Sequence, residues 1–192
     1  MSKIYIVLTH TGTILSRIIK SCTKDEFSHA SIALDNKLEE MYSFGRLNPY
    51  NAFLGGFVHE GIRFGTFKRF KFTETKIYSL NVDEEQYKKM KEKIKYIEIN
   101  KNLYKFNTIG LFAVGLHKRI KKKNSFYCAE FVKYIIESAG IKTKLPDMIK
   151  PEDFKILENI NLVYEGKLRD YNIEKNRIIE KIISVRKKEV VI

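Results

Sequence analysis

The apolar residues of the chain recur with two periods, one typical of strands and one typical of helices. Residues 3–9 (KIYIVLT) are β-branched and aromatic and predict a buried strand. A hairpin is expected further along, with a first arm at 29–34, a tight turn at 35–37 and a returning arm at 38–44. The glycine-containing stretch 45–56 is expected to be a loop.

The remaining elements follow from the same two periods. Further strands are predicted at 57–64, 67–72, 76–82 and 162–168, and helices at 14–22, 83–101 and 151–157. Thr13 and Asp83 are the expected caps of the first two helices, and Pro151 suits the start of the third. The apolar segment 104–116 is too short to cross a bilayer, so we expect a buried helix or wall segment there.

The most informative segment is NSFYCAEFVKYIIESAG at 124–140, where a basic, polar run ends and a helical pattern begins. Four apolar residues recur there at helical spacing: Phe131, Val132, Ile135 and Ile136. Cys128 falls in the first turn of this helix, where free backbone N–H groups and the helix dipole stabilise a thiolate. Cys128 is therefore a candidate nucleophile, although a cysteine on an apolar helix is also typical of a small core residue.

Composition indicates a globular chain with a basic surface. Hydrophobic residues make up 44% and charged residues 31% of the 192 residues, which excludes a disordered chain. The formal net charge of +13 favours anionic partners such as acidic lipid headgroups, an acidic wall polymer or nucleic acid. Nucleic acid is the least favoured of these, because neither zinc-finger spacing nor an RNA-binding aromatic pattern accompanies the basic run at Lys118–Lys123.

Cysteine usage and hydropathy bear on the compartment. The two cysteines are too few for a disulfide framework, and Cys22 is interpreted as a core or incidental residue. The N-terminal residues lack the pattern of a signal peptide, and no stretch reaches about 18 consecutive apolar residues. A cytoplasmic location is therefore expected.

The chain is expected to divide into one domain and a tail. Residues 1–171 show no internal repeat and no domain boundary. In residues 172–192, four isoleucines share one helical face among basic residues: Ile178, Ile179, Ile182 and Ile183. The favoured interpretation of this basic amphipathic tail is a helix packed on its own domain or a frayed end, because chain termini are commonly loose unless docked. The alternative is a helix that lies on an anionic membrane surface or a partner.

A thiol nucleophile needs a general base. The chain offers four histidines: His10, His29, His59 and His117. His29 is the strongest candidate, because it begins a strand after a polar loop and has the small Ser31 and Ala33 on its side of that strand. Tyr42 or Ser43 is expected opposite it on the returning arm of the hairpin.

A third polar group should hold the imidazole in one tautomer. Ser43 and Glu40 both lie near the required position on the returning arm. Ser43 is a weak partner because it carries no charge to stabilise an imidazolium. Glu40 is the chemically better alternative, with its orientation left open by the strand pattern. His59 and Glu60, on a later strand, are further alternatives.

Four segments together resemble a known family: FSHASIALD, MYSFGR, GGFVHEG and FYCAEFVKYIIESAG. They are similar to the circularly permuted papain-like group, relatives of the NlpC-type cell-wall amidases that include the YiiX-like proteins and the lecithin–retinol acyltransferase branch. In this group the His strand precedes the Cys helix, as it does here. The resemblance spans about Tyr5 to about Tyr171. It implies an α+β fold in which an antiparallel sheet packs against the helix of the catalytic cysteine.

Carried over by position, the resemblance implies Cys128 as nucleophile, His29 as base and a polar orienting residue on the strand after His29. Many relatives carry Glu or His there, whereas this chain has MYSF, so Ser43 or Glu40 is the nearest match. The resemblance also implies an oxyanion hole that includes the Cys128 backbone N–H, beside a pocket shaped by Tyr127.

The expected function is that of a thiol-dependent hydrolase that cleaves an amide bond through an acyl-enzyme. The expected substrate is a small peptide or amino-acid amide, such as a cell-wall peptide fragment, and no metal or organic cofactor is required. One alternative is a lipid-directed acyltransferase or lipase, which the basic run and the tail favour. The other is a non-catalytic binding module, which the weak third partner Ser43 favours.

Overall fold

The centre of the protein is a six-stranded antiparallel sheet. The computed structural model describes residues 1–23, 25–108 and 123–171, except for the side chains of residues 15, 19, 22, 23, 52 and 53. The strands are β1 (Ser2–His10), β2 (His29–Ala33), β3 (Met41–Asn48), β4 (Asn51–Glu60), β5 (Glu74–Val82), β6 (Lys105–Phe106), β7 (Ser125–Phe126) and β8 (Ile160–Lys167). The helices of the described residues are α1 (Ile14–Thr23), α2 (Gly65–Arg69), α3 (Glu84–Ile99) and α4 (Cys128–Ser138), with short 3-10 helices at Lys101–Leu103, Pro151–Ile156 and Leu168–Asp170.

The strand order in the sheet is β4-β3-β2-β1-β5-β8, and every neighbouring pair is antiparallel. β6 and β7 form a separate parallel pair. The architecture is thus α+β with an antiparallel sheet, as the sequence predicts. β2, which carries the predicted base His29, lies in the interior of the sheet beside β1.

The two faces of the sheet are both covered. Alternate residues of β1 from Ile4 to Leu8 are fully buried in a core that they share with α3 and α4. Tyr5 and Val7 point to the opposite face and belong to a smaller cluster that includes Phe67 of α2. Because both faces of β1 are buried, its sequence is a continuous apolar run rather than an alternating one.

An aromatic cluster holds α4 on the sheet. Phe131 of α4 has no exposed surface, and its ring centroid lies 5.2 Å from that of Phe44 on β3 and 5.8 Å from that of Phe57 on β4. Phe126, just before α4, lies 5.3 Å from Phe44. Packed rings of this kind tolerate little displacement, so they fix the start of α4 relative to the strands.

The predicted helix caps are confirmed. The Asp83 carboxylate accepts the Gln86 backbone N–H at 2.7 Å, and the Gln86 side chain accepts the Asp83 N–H at 3.0 Å, which completes a capping box for α3. Thr13 Oγ1 accepts the Ser16 backbone N–H at 3.3 Å at the start of α1. Gly140, with φ of +87°, follows α4 and ends the helix in the left-handed conformation that glycine favours.

The tight turn predicted at 35–37 is wrong, because β2 and β3 are joined by the longer loop 34–40. The Asp35 carboxylate closes this loop. It accepts the backbone N–H groups of Lys37, Glu39 and Glu40 at 2.7, 3.2 and 2.6 Å. These three hydrogen bonds from the backbone to Asp35 hold the longer loop in one conformation.

The longer loop changes the register of the hairpin. Ile32 pairs with Tyr42, and Ala33 pairs with Met41. The predicted pairing of His29 with Tyr42 or Ser43 is therefore wrong. Continued along the strands, the observed register places Gly45 beside His29.

The loop predicted at 45–56 is also wrong, since these residues complete β3 and begin β4 around a turn at 49–50. Its glycines lie where other groups approach the strand. A Cβ at Gly55 would lie 2.6 Å from Cγ of Phe106. Glycine is required there for close packing, not for a flexible loop.

The strand predicted at 67–72 is wrong because α2 occupies Gly65–Arg69. Gly65 has φ of +58°, and this left-handed conformation turns the chain into the helix. Phe67 is the buried residue of α2, whereas Phe72 is 75% exposed. The alternating aromatic residues of this segment therefore do not mark the buried face of a strand.

Several predictions concern residues outside the described ranges. They include most of the apolar segment 104–116, the basic run up to residue 122 and the tail 172–192; the Cys22 side chain is also outside. Within the described ranges, no helix has both the length and the apolar character needed to cross a membrane.

Candidate active site

His29 and Cys128 lie on two elements that pack against each other. His29 is the first residue of β2 and pairs with Thr9 of β1, and Cys128 is the first residue of α4, which contacts β2 and β3. The Cys128 side chain is close enough to the His29 ring to help raise the pKa of that ring. The structure thus brings together the two residues predicted as base and nucleophile.

Both side chains line a cleft at the edge of the core. Cys128 is 3% exposed, whereas 20% of the His29 side chain is exposed. Other residues that line the cleft include Thr11, Ser28, Phe44, Gly45, Arg46, Glu60 and Phe106. The Cys128 N–H belongs to the first turn of α4, where backbone N–H groups have no acceptor within the helix. The Cys128 N–H is therefore free of an intrahelical acceptor and lies beside the thiol, as a donor to an oxyanion would have to.

Glu60, at the end of β4, is the carboxylate that contacts the base. His29 Nε2 lies 3.1 Å from Glu60 Oε1 and 3.4 Å from Oε2, which leaves Nδ1 for the thiol. Ser31, two residues along β2, donates its hydroxyl to Glu60 Oε2 at 2.5 Å. The buried carboxylate is thus satisfied by two donors from one strand, and it fixes the orientation of the imidazole.

The charges of this group favour an imidazolium. Burial alone would lower the pKa of His29, but the charge of Glu60 and hydrogen bonds to Cys128 and Glu60 outweigh it and raise that pKa to about 10. Burial alone would raise the pKa of Glu60, but the charge of His29 and the hydrogen bonds from His29 and Ser31 lower it. At neutral pH the pair is therefore an imidazolium and a carboxylate.

These shifts define the pH range in which the pair stabilises the fold. The pKa of His29 is raised from 6.5, so its contribution to the free energy of unfolding is complete below about pH 6.5 and is lost as the pH rises towards 10. The pKa of Glu60 is lowered from 4.5, so its contribution is present above that pH and is lost in acid. The ion pair therefore stabilises the fold fully between about pH 4.5 and pH 6.5.

The two residues predicted as orienting partners lie elsewhere. Ser43 is fully buried near the Glu60 carboxylate, but its hydroxyl makes no hydrogen bond of ordinary length within the described part of the chain. Glu40 lies in the β2–β3 loop and pairs with Lys91 of α3 at 3.0 Å. Neither contacts the imidazole nitrogen that Glu60 occupies.

Tyr127 supports the start of α4 from behind. It is 2% exposed, and its hydroxyl donates to the Ile149 carbonyl at 2.8 Å. The Glu130 carboxylate accepts the Tyr127 backbone N–H at 3.2 Å. These contacts hold the helix start in place, a different role from the pocket-shaping one predicted for Tyr127.

Over the described ranges, no three His, Cys, Asp or Glu side chains cluster as metal ligands would. The thiol, the imidazole and the carboxylate of the cleft follow one another in the order required for proton transfer to and from sulfur.

We expect Glu60→Gln to lower the pKa of His29 by about 1–3 pH units, because the variant removes a negative charge in contact with the imidazole. The pKa is measured by NMR titration of the His29 ring. Glu40→Gln is the matched control and should leave the titration unchanged, since Glu40 pairs with Lys91. Equal His29 titrations in the two variants would contradict the assignment of Glu60 as the positioning residue.

Gly45→Ala should slow the alkylation of Cys128 by iodoacetamide without unfolding the protein. The added Cβ would lie 3.1 Å from Ser43 Oγ and 3.2 Å from His29 Cε1, so it would push the imidazole by a few tenths of an ångström. A displacement of about 1 Å can cost on the order of 100-fold, so we expect a loss of up to about tenfold.

Gly56→Ala is the control for this prediction. Gly56 pairs with Gly45 across β3 and β4, but its added Cβ would meet the exposed Leu47 side chain at 3.2 Å. The iodoacetamide reaction of this variant should proceed at the parent rate. Equal slowing in both variants would show that the effect comes from the strand pair and not from the imidazole.

Comparisons with known proteins do not extend this description. No protein-family model, no curated protein and no solved structure matches the chain. What the site can do must therefore follow from the chemistry of its own side chains.

Proposed function

We propose that the protein is a thiol-dependent hydrolase that cleaves an amide bond through an acyl-enzyme on Cys128. The observation that carries this proposal is the chain of contacts from the Cys128 thiol to the His29 ring and from His29 Nε2 to Glu60. A nucleophile, a base and a carboxylate that orients the base are the three parts that nucleophilic catalysis on a carbonyl requires.

In the first step, the Cys128 thiol gives its proton to His29 and the sulfur attacks the carbonyl carbon of the amide. An imidazole with a pKa of about 10 keeps that proton at neutral pH, so it is ready to donate it to the leaving nitrogen. The carbon–nitrogen bond then breaks, the amine leaves with the proton and a thioester to Cys128 remains.

In the second step, water attacks the thioester carbon while His29 accepts a proton from the water. The carbon–sulfur bond breaks, the acid product leaves and His29 is again protonated beside the sulfur. In both steps, the negative oxygen of the tetrahedral intermediate is stabilised by the Cys128 backbone N–H at the start of α4.

The proposal extends to the permuted papain-like family. Two features support it: the base lies on β2, well before the nucleophile in the chain, and the nucleophile begins a helix packed on the sheet of the base. A small peptide or amino-acid amide, such as a cell-wall fragment, is the proposed substrate class. A non-catalytic binding module is disfavoured because Glu60 supplies the charged third partner that Ser43 lacks.

The first test is the pH dependence of Cys128 alkylation by iodoacetamide in a Cys22→Ser background. We expect similar rates at about pH 6 and pH 8, because His29 is an imidazolium at both and a cation beside the sulfur favours the reactive thiolate. His29→Ala should lose at least about tenfold at the lower pH, since an ordinary thiol ionises near pH 8.5.

His10→Ala is the matched control, because His10 contacts Ser28 beside the cleft at 3.3 Å. It should keep the parent profile. Incubation with a set of amides and esters should then give an acyl adduct on Cys128 by mass spectrometry, absent in Cys128→Ala. Identical pH profiles in the parent and in His29→Ala would contradict the proposed activation of the thiol.

A second candidate function, a lipid-directed acyltransferase or lipase, is favoured by the surface beside the cleft. Tyr50 and Leu54 on the β3–β4 hairpin are 79% and 50% exposed, and Gly55 next to them lines the cleft. Arg69 stacks on the Tyr50 ring at 4.0 Å. Exposed apolar side chains beside a cation suit an anionic lipid surface.

The double variant Tyr50→Ser, Leu54→Ser tests this second function. If the hairpin inserts into lipid, the full chain should lose at least about tenfold in binding to phosphatidylcholine–phosphatidylserine vesicles, because each buried apolar side chain contributes about 1.5–3 kcal/mol. Leu162→Ser, at 52% exposed on the opposite edge of the sheet, is the control. Unchanged vesicle binding in the double variant would exclude this surface.

A further inference from the structure

Arg46 is a cation in the cleft that the proposed reaction does not use. It follows Gly45 on β3 and lines the same cleft as Cys128 and His29. Glu60 also lines this cleft, but His29 and Ser31 already occupy its oxygens.

Two elements hold the guanidinium in place. Arg46 Nη2 donates to Thr13 Oγ1 at 2.6 Å, at the cap of α1. The guanidinium carbon lies 5.6 Å from the centre of the Phe70 ring, just after α2. The side chain is therefore positioned before any ligand arrives.

The charge of Arg46 has no carboxylate partner among the described residues. Burial lowers the pKa of Arg46, and no acidic neighbour opposes that shift. A guanidinium has five N–H donors, of which the Thr13 contact uses one. A half-buried cation with unused donors is costly unless an anion completes it.

Arg46 lies on the strand that passes both the Cys128 helix and the His29 ring. Phe44, two residues earlier on β3, contacts Phe131 of α4, and strand alternation places Arg46 on that same side of the sheet. Gly45, between them, lies against the His29 ring. Because Arg46 lines the same cleft as Cys128 and His29, a substrate whose carbonyl reaches Cys128 would extend past Arg46.

We infer that Arg46 binds a carboxylate of the substrate, so that the protein acts on amides whose acyl or amine portion carries a free carboxylate. This inference rests on the proposed function for the identity of the scissile bond. The planar fork of a guanidinium matches the two oxygens of a carboxylate, and the contact would hold the substrate in register with the thiol.

N-acetylglycine serves as the probe, because it joins an amide to a carboxylate. In the Cys22→Ser background at constant ionic strength, it should slow alkylation of Cys128 by iodoacetamide in a saturable way. Neutral N-acetylglycinamide should give no protection. Arg46→Met should raise the half-protecting concentration by at least about tenfold, the loss expected for one charge-assisted contact.

Arg63→Met is the matched control, since Arg63 is an exposed arginine between β4 and α2 that does not line the cleft. It should leave the protection unchanged. Arg46→Lys, which keeps the charge and loses the fork, should weaken protection, and it decides the question if Arg46→Met does not fold. Protection that survives in both Arg46 variants, or equal protection by the neutral amide, would overturn the inference. Stronger protection by methyl phosphate would overturn the carboxylate assignment.

This experiment separates the two proposals, because protection needs no turnover. An activated Cys128 without protection by N-acetylglycine would overturn the carboxylate site and leave the hydrolase. Conversely, an ordinary thiol whose alkylation is slowed through Arg46 would keep the carboxylate site and reject the hydrolase. Titration of the Arg46 Nε–Hε resonance with N-acetylglycine gives the same answer without the thiol: a saturable shift supports the site, and no shift overturns it.

Discussion

The buried carboxylate of Glu60 is the constraint on which the site depends. A carboxylate removed from water must be hydrogen-bonded and paired with a cation. Glu60 meets both needs through Ser31 and His29 of β2, two strands away from its own β4. If the imidazole were neutral, the carboxylate would lose its counter-ion, so folding and the protonation of His29 are coupled. The ion pair with Glu60 thereby keeps His29 protonated beside Cys128.

Placing the thiol beside that imidazole is the task of the core. The apolar stripe of α4 is buried between α3 and the strands, and the interlocked rings of Phe44, Phe126 and Phe131 leave the helix little freedom to slide. Because Cys128 is the first residue of α4, any slide of the helix would move the thiol away from β2. Bulky apolar packing therefore provides the precision that the polar contacts need, and Cys128 is at once a core residue and a member of the site.

The sequence predicts the parts of the site that depend on local patterns. Cys128 follows from the start of an apolar helix, and His29 follows from the start of a strand after a polar loop. The orienting carboxylate could not be chosen in this way. Its identity depends on the loop at 34–40, which Asp35 closes by accepting three backbone N–H groups, and on the continuation of β3 and β4 through glycines that resemble loop residues. The loop and the two continuous strands set the pairing and register of β2, β3 and β4, and the register decides which side chains meet. Glu60 is therefore a tertiary result, although its presence in an apolar strand segment marked it as an alternative.

The charges of the surface and the charges of the cleft differ in how strongly they select a ligand. The formal net charge of +13 directs attention to anionic surfaces, yet exposed lysines in water are screened and select partners weakly. Among the described residues that line the cleft are two cations, His29 and Arg46, and the carboxylate of Glu60, whose oxygens are occupied by His29 and Ser31. Low local dielectric makes each of these charges count for more than a surface lysine. A ligand that brings its own carboxylate would pair with the Arg46 guanidinium, whereas a cationic ligand would be repelled by it. Selectivity should therefore be set by the few charges that are buried, not by the many that are exposed.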